Sequence, residues 1–138
     1  MSLTIEQKLA IHELLSRAAY AYDERDMQAL EDGFATQAAM TMRIAGGDLI
    51  GPFQGREAIL ELMRNSMAQQ SDVRRHVVSN IFFDENGENP TAISNLTLIT
   101  TAEGKAEMLA TGIYRDELVV EGGMWRILKR HVELDSAY

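Results

Sequence analysis

The spacing of apolar residues changes at residue 73, and this change constrains the fold more than any other feature of the chain. Before residue 73, apolar side chains recur every three or four positions in three segments, as on helices with one buried face. After it, apolar and polar side chains alternate over segments separated by short turn sequences, as in β-strands. Helices that precede a run of neighbouring strands predict an α+β fold, in which the helices cover one face of a curved sheet.

Three helices are predicted in the first half of the chain. Thr4 and Gln7 fit a capping box at the start of the first helix. Asp26 is a suitable cap for a short second helix that reaches Phe34, and Gly55 is a plausible entry to a third. The positions expected to face the core in the first helix are Ile5, Leu9, His12, Leu15, Ala19 and Tyr22, in a stripe broadened by Ile11, Leu14 and Ala18. In the third helix they are Ala58, Ile59, Leu62, Met63, Ser66 and Met67.

The strands are predicted from alternation and from the turn sequences between them. Two short strands joined by a tight turn are expected in residues 39–53. Four longer strands follow residue 73, and the tight turns between them predict an antiparallel meander. These strands cover residues 73–83, 92–101, 105–120 and 124–134, and their turns are Asn86-Gly87, Glu103-Gly104 and Gly122-Gly123.

Length and composition limit the classes of function. A chain of 138 residues predicts a single domain, residues 1–138. With 13 Lys and Arg against 21 Asp and Glu, the net charge of −8 opposes binding to nucleic acid. The absence of cysteine excludes disulfides, thiolate metal ligands and cysteine nucleophiles. The start lacks a basic region followed by an apolar run, and no 18 apolar residues occur in succession, so we expect a cytoplasmic protein without membrane contact.

The chain has three histidines, the residue type best suited to proton transfer near neutral pH. His12 lies within the first helix and is expected to be a buried or half-buried structural residue. His131 stands near the end of the last strand beside Lys129 and Arg130, where solvation or a subunit contact is expected. His76 differs, because alternation places it on one strand face with Val78, Asn80 and Phe82, as part of a pocket wall; an ordinary core histidine is the alternative.

Asp23 is the second candidate for chemistry. It ends the first helix, where the helix dipole does not stabilise a carboxylate. It continues the apolar stripe of Ala19 and Tyr22, with Tyr20 one turn earlier. Solvation beside Glu24 is the alternative to a role inside a pocket.

Three stretches of the sequence resemble one known family. They are Ala21-Tyr22-Asp23-Glu24-Arg25-Asp26-Met27, then Arg75-His76 with Ser79-Asn80-Ile81, and Gly112-Ile113-Tyr114-Arg115-Asp116 with Gly123-Met124-Trp125-Arg126-Ile127 and Arg130. This chain resembles the scytalone dehydratases and their SnoaL-like relatives in the nuclear-transport-factor-like superfamily. The resemblance implies a cone-shaped, curved, mostly antiparallel sheet closed by three helices around an apolar pocket. It also implies a homodimer or homotrimer.

The resemblance assigns roles to individual residues. In the family, a tyrosine and an aspartate end the first helix, and the aspartate orients a histidine that moves the proton during loss of water. Tyr22, Asp23 and His76 stand at those positions. The family's second tyrosine corresponds to Met42, and its asparagine on the long strand falls near Tyr114. The predicted catalytic residues are therefore His76, Asp23 and Tyr22, and the predicted substrate-binding residues are Tyr20, Met42, Asn80, Tyr114 and Arg130.

These assignments lead to a hypothesis of function. His76 would remove a proton next to a carbonyl, Asp23 would orient it, and Tyr22 or Tyr114 would hydrogen-bond the enolate or the leaving group. The protein would be a dehydratase or isomerase for a small, largely apolar substrate, aromatic or polycyclic, without a cofactor or a metal. The alternatives are a non-catalytic assembly subunit similar to the β subunits of aromatic-ring dioxygenases, or a module that binds a small ligand.

Overall fold

The structure is a computed structural model that describes residues 2–138. It has the predicted α+β architecture, in which helices of the N-terminal half cover one face of a curved, open sheet of six strands. The elements are α1 (Ile5–Asp23), α2 (Met27–Asp32), β1 (Phe34–Ile44), β2 (Ile50–Gln54), α3 (Arg56–Ala68), β3 (Val73–Asp84), β4 (Thr91–Ala102), β5 (Lys105–Glu121) and β6 (Met124–Leu134).

The predicted starts of α1 and α2 are confirmed by their capping hydrogen bonds. The Thr4 side chain accepts from the Gln7 backbone N–H at 3.1 Å, and the Gln7 side chain accepts from the Thr4 backbone N–H at 2.9 Å. The Asp26 side chain accepts from the backbone N–H of Ala29 at 3.1 Å and begins α2. Gly55 stands at the cap position of α3.

The strand order in the sheet is β2-β1-β6-β5-β4-β3. The predicted meander of β3 to β6 is confirmed, since each of these strands pairs antiparallel with the next. β1 then pairs parallel with β6, and β2 pairs antiparallel with β1. β6 and β5 thus lie at the centre of the sheet, while α1 packs mainly against β3 and α3 mainly against β1.

The prediction for Phe34 is wrong. The second helix ends at Asp32, and Phe34 opens β1 five residues earlier than the strand expected from residue 39. The Gly33 carbonyl accepts from the Ile127 backbone N–H at 2.9 Å, and Phe34 pairs with Ile127. Pairing with β6 therefore makes this segment a strand. Phe34 is fully buried there.

The buried stripe of α1 is shorter than predicted. Ile11, Leu15 and Ala18 are buried against the sheet, whereas Ile5 and Leu9 are 75% and 64% exposed. A helical period locates the apolar face of a helix, but it does not show where along the helix the sheet begins.

A β-bulge in β3 corrects the predicted face of Asn80. Ser79 pairs with Asn95 and Phe82 with Ile93, so β3 contains one residue more than β4 between these pairs. Asn80 takes up the extra length with φ of 55°. Because a one-residue shift reverses the alternation, Asn80 and Phe82 are exposed, and Ile81 packs against the core instead.

The opposite face of the sheet is more polar and partly exposed. It also carries apolar side chains that reach solvent, including Val73, Val77 and Ile113. The expected homodimer or homotrimer stays a prediction. Across residues 2–138, no helix combines the length and the apolar character needed to cross a membrane.

Candidate active site

A cavity of about 240 Å³ lies between α1, α3 and the inner face of the sheet. Most of its wall is apolar, and its polar atoms come from a few side chains, among them His76, Tyr22, Tyr114 and Arg130. An apolar cleft with few convergent polar groups is the usual form of a small-molecule site. The apolar wall includes Leu15, Met42, Met63, Leu96, Val132 and Leu134.

Asp23 and His76 meet at one end of this cavity. Asp23 Oδ1 lies 2.5 Å from His76 Nδ1, and Oδ2 accepts from the His76 backbone N–H at 2.8 Å. The Asp23 and His76 side chains are only 5% and 13% exposed. Both carboxylate oxygens of Asp23 therefore contact His76, one at its ring and one at its backbone. These two contacts fix the position and the orientation of the imidazole ring.

The surrounding contacts explain how a carboxylate is tolerated at the end of α1. The helix dipole does not stabilise Asp23 there, but β3 supplies two hydrogen-bond donors from His76. Next to this pair, Glu24 and Arg75 form an ion pair at 2.8 Å that also joins the end of α1 to β3. The end of α1 is thus connected to β3 both by the pair itself and by the adjacent ion pair.

The Asp23 carboxylate determines which nitrogen of His76 carries the hydrogen. An ionised carboxylate only accepts hydrogen bonds, so Nδ1 is the protonated nitrogen of the neutral ring. Nε2 is then left with its lone pair, and His76 lines the cavity. This is the arrangement needed for a base that takes a proton from a bound molecule.

Tyr22 contacts His76 from the side. The two ring centroids are 5.0 Å apart with an edge-on geometry of 69°, and Gln70 Nε2 donates to the Tyr22 hydroxyl at 3.1 Å. Burial raises the pKa of Tyr22 above its ordinary value. The phenol therefore stays neutral near pH 7 and can donate a hydrogen bond.

A second polar group in the cavity consists of Arg130, Asp116 and Tyr114. Arg130 Nε and Nη2 donate to the two Asp116 oxygens at 2.7 and 3.0 Å, and the Arg130 Cζ lies 4.0 Å from the centroid of the Tyr114 ring. Burial raises the pKa of Tyr114 to about 12. Burial alone would lower the pKa of Arg130, but the charge and hydrogen bonds of Asp116 raise that pKa above its ordinary value.

The structure brings most of the predicted site residues to one cavity. His76, Tyr22, Met42, Tyr114 and Arg130 line it, and Asp23 lies directly behind His76. Two predicted substrate-binding residues lie elsewhere. Tyr20 is 69% exposed on the outer side of α1, and Asn80 points to solvent from the bulge in β3.

Three residues of the site were not predicted. Asp116 shares the inward-facing alternation of Tyr114 on β5, and this pattern could have indicated a buried carboxylate that needs a cation. Gln70 follows α3 in a connecting segment, and Tyr138 lines the cavity from the end of the chain. Nothing in the local sequence marks either of these two.

The outer face of the sheet holds a second histidine and carboxylate pair. His131 Nε2 lies 2.9 Å from Glu133 Oε1, and His131 Nδ1 lies 2.7 Å from Thr41 Oγ1. The His131 and Glu133 side chains are 26% and 39% exposed. Within the part of the chain that the structure describes, no three His, Asp or Glu side chains converge as a metal site.

Solved structures with the same fold cover almost the whole chain. A protein of unknown function with a cystatin-like fold from Nostoc punctiforme has a TM-score of 0.81, with 23% identity over 98% of this chain and 96% of that one. Aln2 from a Streptomyces species has a TM-score of 0.81, with 22% identity over 98% and 95%. The β subunit of a candidate aromatic-ring-hydroxylating dioxygenase from Novosphingobium aromaticivorans has a TM-score of 0.78, with 14% identity over 94% and 89%. At these identities the likeness concerns the fold alone.

The sequence comparison identifies the family. No curated protein sequence matches this chain at a significant level. The family described as a SnoaL-like domain matches residues 3–131, which include α1, the site residues Asp23 and His76, and all but the end of β6. The chain therefore belongs to the SnoaL-like domain family.

Proposed function

We propose that the cavity is the active site of a dehydratase or isomerase that removes a proton next to a carbonyl from a small, largely apolar substrate. One observation carries the proposal. His76 lines an apolar cavity, and its Nδ1 lies 2.5 Å from a carboxylate that also accepts from its backbone N–H. A histidine held in this way has a fixed tautomer and one ring nitrogen whose lone pair is free to accept a proton.

His76 acts as the base in this proposal. Its Nε2 takes the proton from the carbon next to the carbonyl, and the electron pair moves onto the carbonyl oxygen to give an enolate. Asp23 stabilises the imidazolium that forms, because its negative charge lies against the new positive charge. General bases of this kind contribute about 10²- to 10⁴-fold to a rate.

The tyrosines supply hydrogen-bond donors. Tyr22 and Tyr114 both line the cavity, and burial raises the pKa of each, so both hydroxyls keep their hydrogen at neutral pH. One of them donates to the enolate oxygen or to the hydroxyl that leaves. In a dehydration, the enolate then forms the new double bond as the carbon–oxygen bond breaks, and the hydroxide takes the proton from His76 to leave as water.

The cavity limits the substrate. Its volume of about 240 Å³ and its largely apolar wall favour a compact aromatic or polycyclic molecule over a charged or extended one. Binding energy would come mainly from apolar contact, and the few polar side chains would determine the orientation.

A non-catalytic subunit is the rival function. The likeness of fold to the β subunit from Novosphingobium aromaticivorans supports it at the level of architecture. Against it stands the open cavity, because an assembly subunit would gain stability by filling that space with side chains. The buried pair of Asp23 and His76, which faces the cavity, is likewise unnecessary for assembly.

The proposal can be tested by an elimination assay over a panel of β-hydroxy ketones and hydroxylated polycyclic ketones. Loss of water is followed by mass spectrometry for wild type, His76→Ala and Asp23→Asn, with folding of each checked by circular dichroism. We expect turnover by the wild type of at least one compound and strongly reduced turnover by both variants. Equal rates in all three proteins would overturn the mechanism.

A further inference from the structure

Gln70 contacts the active site from outside the cavity. It follows α3 in the segment that leads to β3, and it is not among the side chains of residues 2–138 that line the cavity. Its amide nevertheless reaches a residue of the cavity wall, since Gln70 Nε2 donates to the Tyr22 hydroxyl at 3.1 Å. Gln70 is half-buried, whereas the adjacent Gln69 is exposed. Gln70 therefore acts on a molecule in the cavity through Tyr22 and not by direct contact.

The turn between α1 and α2 fixes both partners of this contact. Arg25 Nη2 donates to the Gln70 carbonyl at 2.5 Å, and the Arg25 backbone N–H donates to the Tyr22 carbonyl at 3.0 Å. Arg25 has a φ of 57°, which is an unfavourable backbone conformation for a residue other than glycine. The Gln70 backbone N–H also donates to the Met67 carbonyl at 3.1 Å, so the segment is held at the end of α3 as well.

The two distances from the Gln70 amide to Tyr22 indicate the direction of the hydrogen bond. Nε2 lies 3.1 Å from the Tyr22 hydroxyl oxygen, whereas Oε1 lies 3.5 Å from it, at the limit of a hydrogen bond. The amide is therefore the main donor and the phenol oxygen the acceptor. An amide nitrogen does not accept hydrogen bonds, so the hydrogen of the Tyr22 hydroxyl is available to a molecule in the cavity.

A donor to the phenol oxygen also makes the phenol a stronger donor. When Tyr22 donates to an oxygen that gains negative charge, electron density moves onto the phenol oxygen, where the N–H of Gln70 stabilises it. Burial raises the pKa of Tyr22, and the hydrogen bond from Gln70 acts against this rise. Gln70 thus offsets part of the acidity that Tyr22 loses in its apolar surroundings.

We propose that Gln70 is a positioning residue for Tyr22, whose hydroxyl it holds with the hydrogen directed at the substrate and makes a stronger hydrogen-bond donor. This inference rests on the proposed function. As His76 takes the proton, Tyr22 donates to the enolate oxygen or to the leaving hydroxyl. The Tyr22 and His76 rings contact each other at a centroid distance of 5.0 Å, so base and donor act on neighbouring parts of one substrate.

The first test measures the ionisation of Tyr22 without any substrate. The protein is labelled with ¹³C at the tyrosine Cζ, its signals are followed by NMR as the pH rises, and Tyr22→Phe assigns the signal. We expect Gln70→Leu to lower the acid dissociation constant of Tyr22 about 10-fold, which is the effect of one lost hydrogen bond. Gln70→Glu has the same size but replaces the donor by an acceptor, and it should lower the constant at least as much. Gln69→Leu is the matched control and should change nothing. The other titratable or charged groups around Tyr22 stay the same in all three variants and are Asp23, Arg25, Arg74, His76 and Tyr138.

The second test is steady-state kinetics on a compound that the wild type converts. Gln70→Leu and Gln70→Glu should each lower kcat about 10-fold and leave KM unchanged, because the amide acts on the transition state through Tyr22 and does not touch the substrate. Gln69→Leu should keep the wild-type kcat. A purely structural role of Gln70 would lower the free energy of unfolding and leave the ionisation of Tyr22 in the folded protein as it is.

The two tests separate this inference from the proposed function. Unchanged ionisation of Tyr22 in Gln70→Leu, an equal change in Gln69→Leu, or a changed ionisation with full kcat would overturn the role of Gln70, even where elimination depends on His76. If no compound of the panel is converted but Gln70→Leu shifts the ionisation of Tyr22 as expected, the proposed function fails and the action of Gln70 on Tyr22 stands.

Discussion

Two pairs of histidine and carboxylate in this protein have similar geometry and different surroundings. His76 and Asp23 lie 2.5 Å apart at one end of an apolar cavity, which His76 lines. His131 and Glu133 lie 2.9 Å apart on the outer face of the sheet, where both side chains reach solvent. A search for close histidine and carboxylate contacts would select both pairs, and only the first is proposed to be catalytic.

The two pairs differ in whether the second ring nitrogen of the histidine is free to contact a bound molecule. Asp23 holds Nδ1 of His76, so Nε2 is left for a bound molecule. In the outer pair, Thr41 and Glu133 occupy both ring nitrogens of His131. A histidine with both nitrogens engaged has no free lone pair, and water competes for each of its contacts. The protein thus shows that a cavity and a free nitrogen distinguish a candidate base more clearly than a short distance does.

The largest difference in activity should appear when each of the two histidines is replaced by glutamine. His76→Gln should lower kcat/KM for elimination by about 10²- to 10⁴-fold, because it removes the base and keeps a polar side chain of similar size. His131→Gln, the matched control, should leave kcat/KM unchanged. The measurement is steady-state kinetics on a compound that the wild type converts, and a similar loss in both variants would remove the contrast between the pairs.

The next largest difference in activity should appear when the carboxylate of each pair is replaced by an amide. Asp23→Asn should reduce kcat about 10- to 100-fold, because an amide neither fixes the Nδ1–H tautomer nor stabilises an imidazolium. Glu133→Gln should have no effect on kcat. Steady-state kinetics with both variants measures this difference, and full activity of Asp23→Asn would show that His76 works without its partner.

Tyrosines inside and outside the cavity extend the comparison to pH. Burial raises the pKa of Tyr114 to about 12, whereas an unfolded tyrosine ionises near pH 10. Between these values the unfolded chain loses the proton and the folded chain keeps it, so the free energy of unfolding falls as the pH rises. The contribution of Tyr114 to this fall is about 3 kcal/mol. The raised pKa of Tyr22 adds to it in the same direction.

Tyr114→Phe should therefore flatten the fall in the free energy of unfolding between pH 10 and 12. Urea titrations followed by the fluorescence of Trp125 measure it. Tyr20→Phe is the control, since Tyr20 is 69% exposed and should leave the slope as in the wild type. An unchanged slope in Tyr114→Phe would contradict the burial of its hydroxyl.

The smallest effect should come from the outer pair itself. Glu133→Ala should lower the free energy of unfolding by only about 0–1 kcal/mol, since water competes for the exposed contact between His131 and Glu133. Asp23→Ala should cost more, because it leaves a buried backbone N–H and a ring nitrogen of His76 without an acceptor. Urea unfolding at low and high salt measures both variants, and a larger loss in Glu133→Ala would reverse the ranking.

The sequence predicted the elements of the fold better than the details of the site. Turn residues such as Gly122 and Gly123 marked the ends of β5 and β6, and the last strand has the predicted bounds. The start of β1 at Phe34 was missed because it depends on pairing with β6, a contact between distant parts of the chain. Local periodicity contains no information on such pairing.

For the site, periodicity found the residues separately. It placed His76 on a pocket wall and Asp23 at the end of a stripe, but it could not show that residues 53 positions apart touch. That connection came from the resemblance to a family. Asn80 was misplaced because a single extra residue in β3 reversed its face. Tyr20 is one turn before Asp23, but its side chain lies on the exposed side of α1.

The most direct test of the account is solvent exchange at the carbon next to a carbonyl. A ketone of the panel that the protein binds is incubated in deuterated water with wild type, His76→Gln or His131→Gln, and incorporation of deuterium at that carbon is followed by NMR. If His76 is the base, exchange is equal with wild type and His131→Gln and about 10²- to 10⁴-fold slower with His76→Gln. Exchange at the wild-type rate with His76→Gln would contradict it.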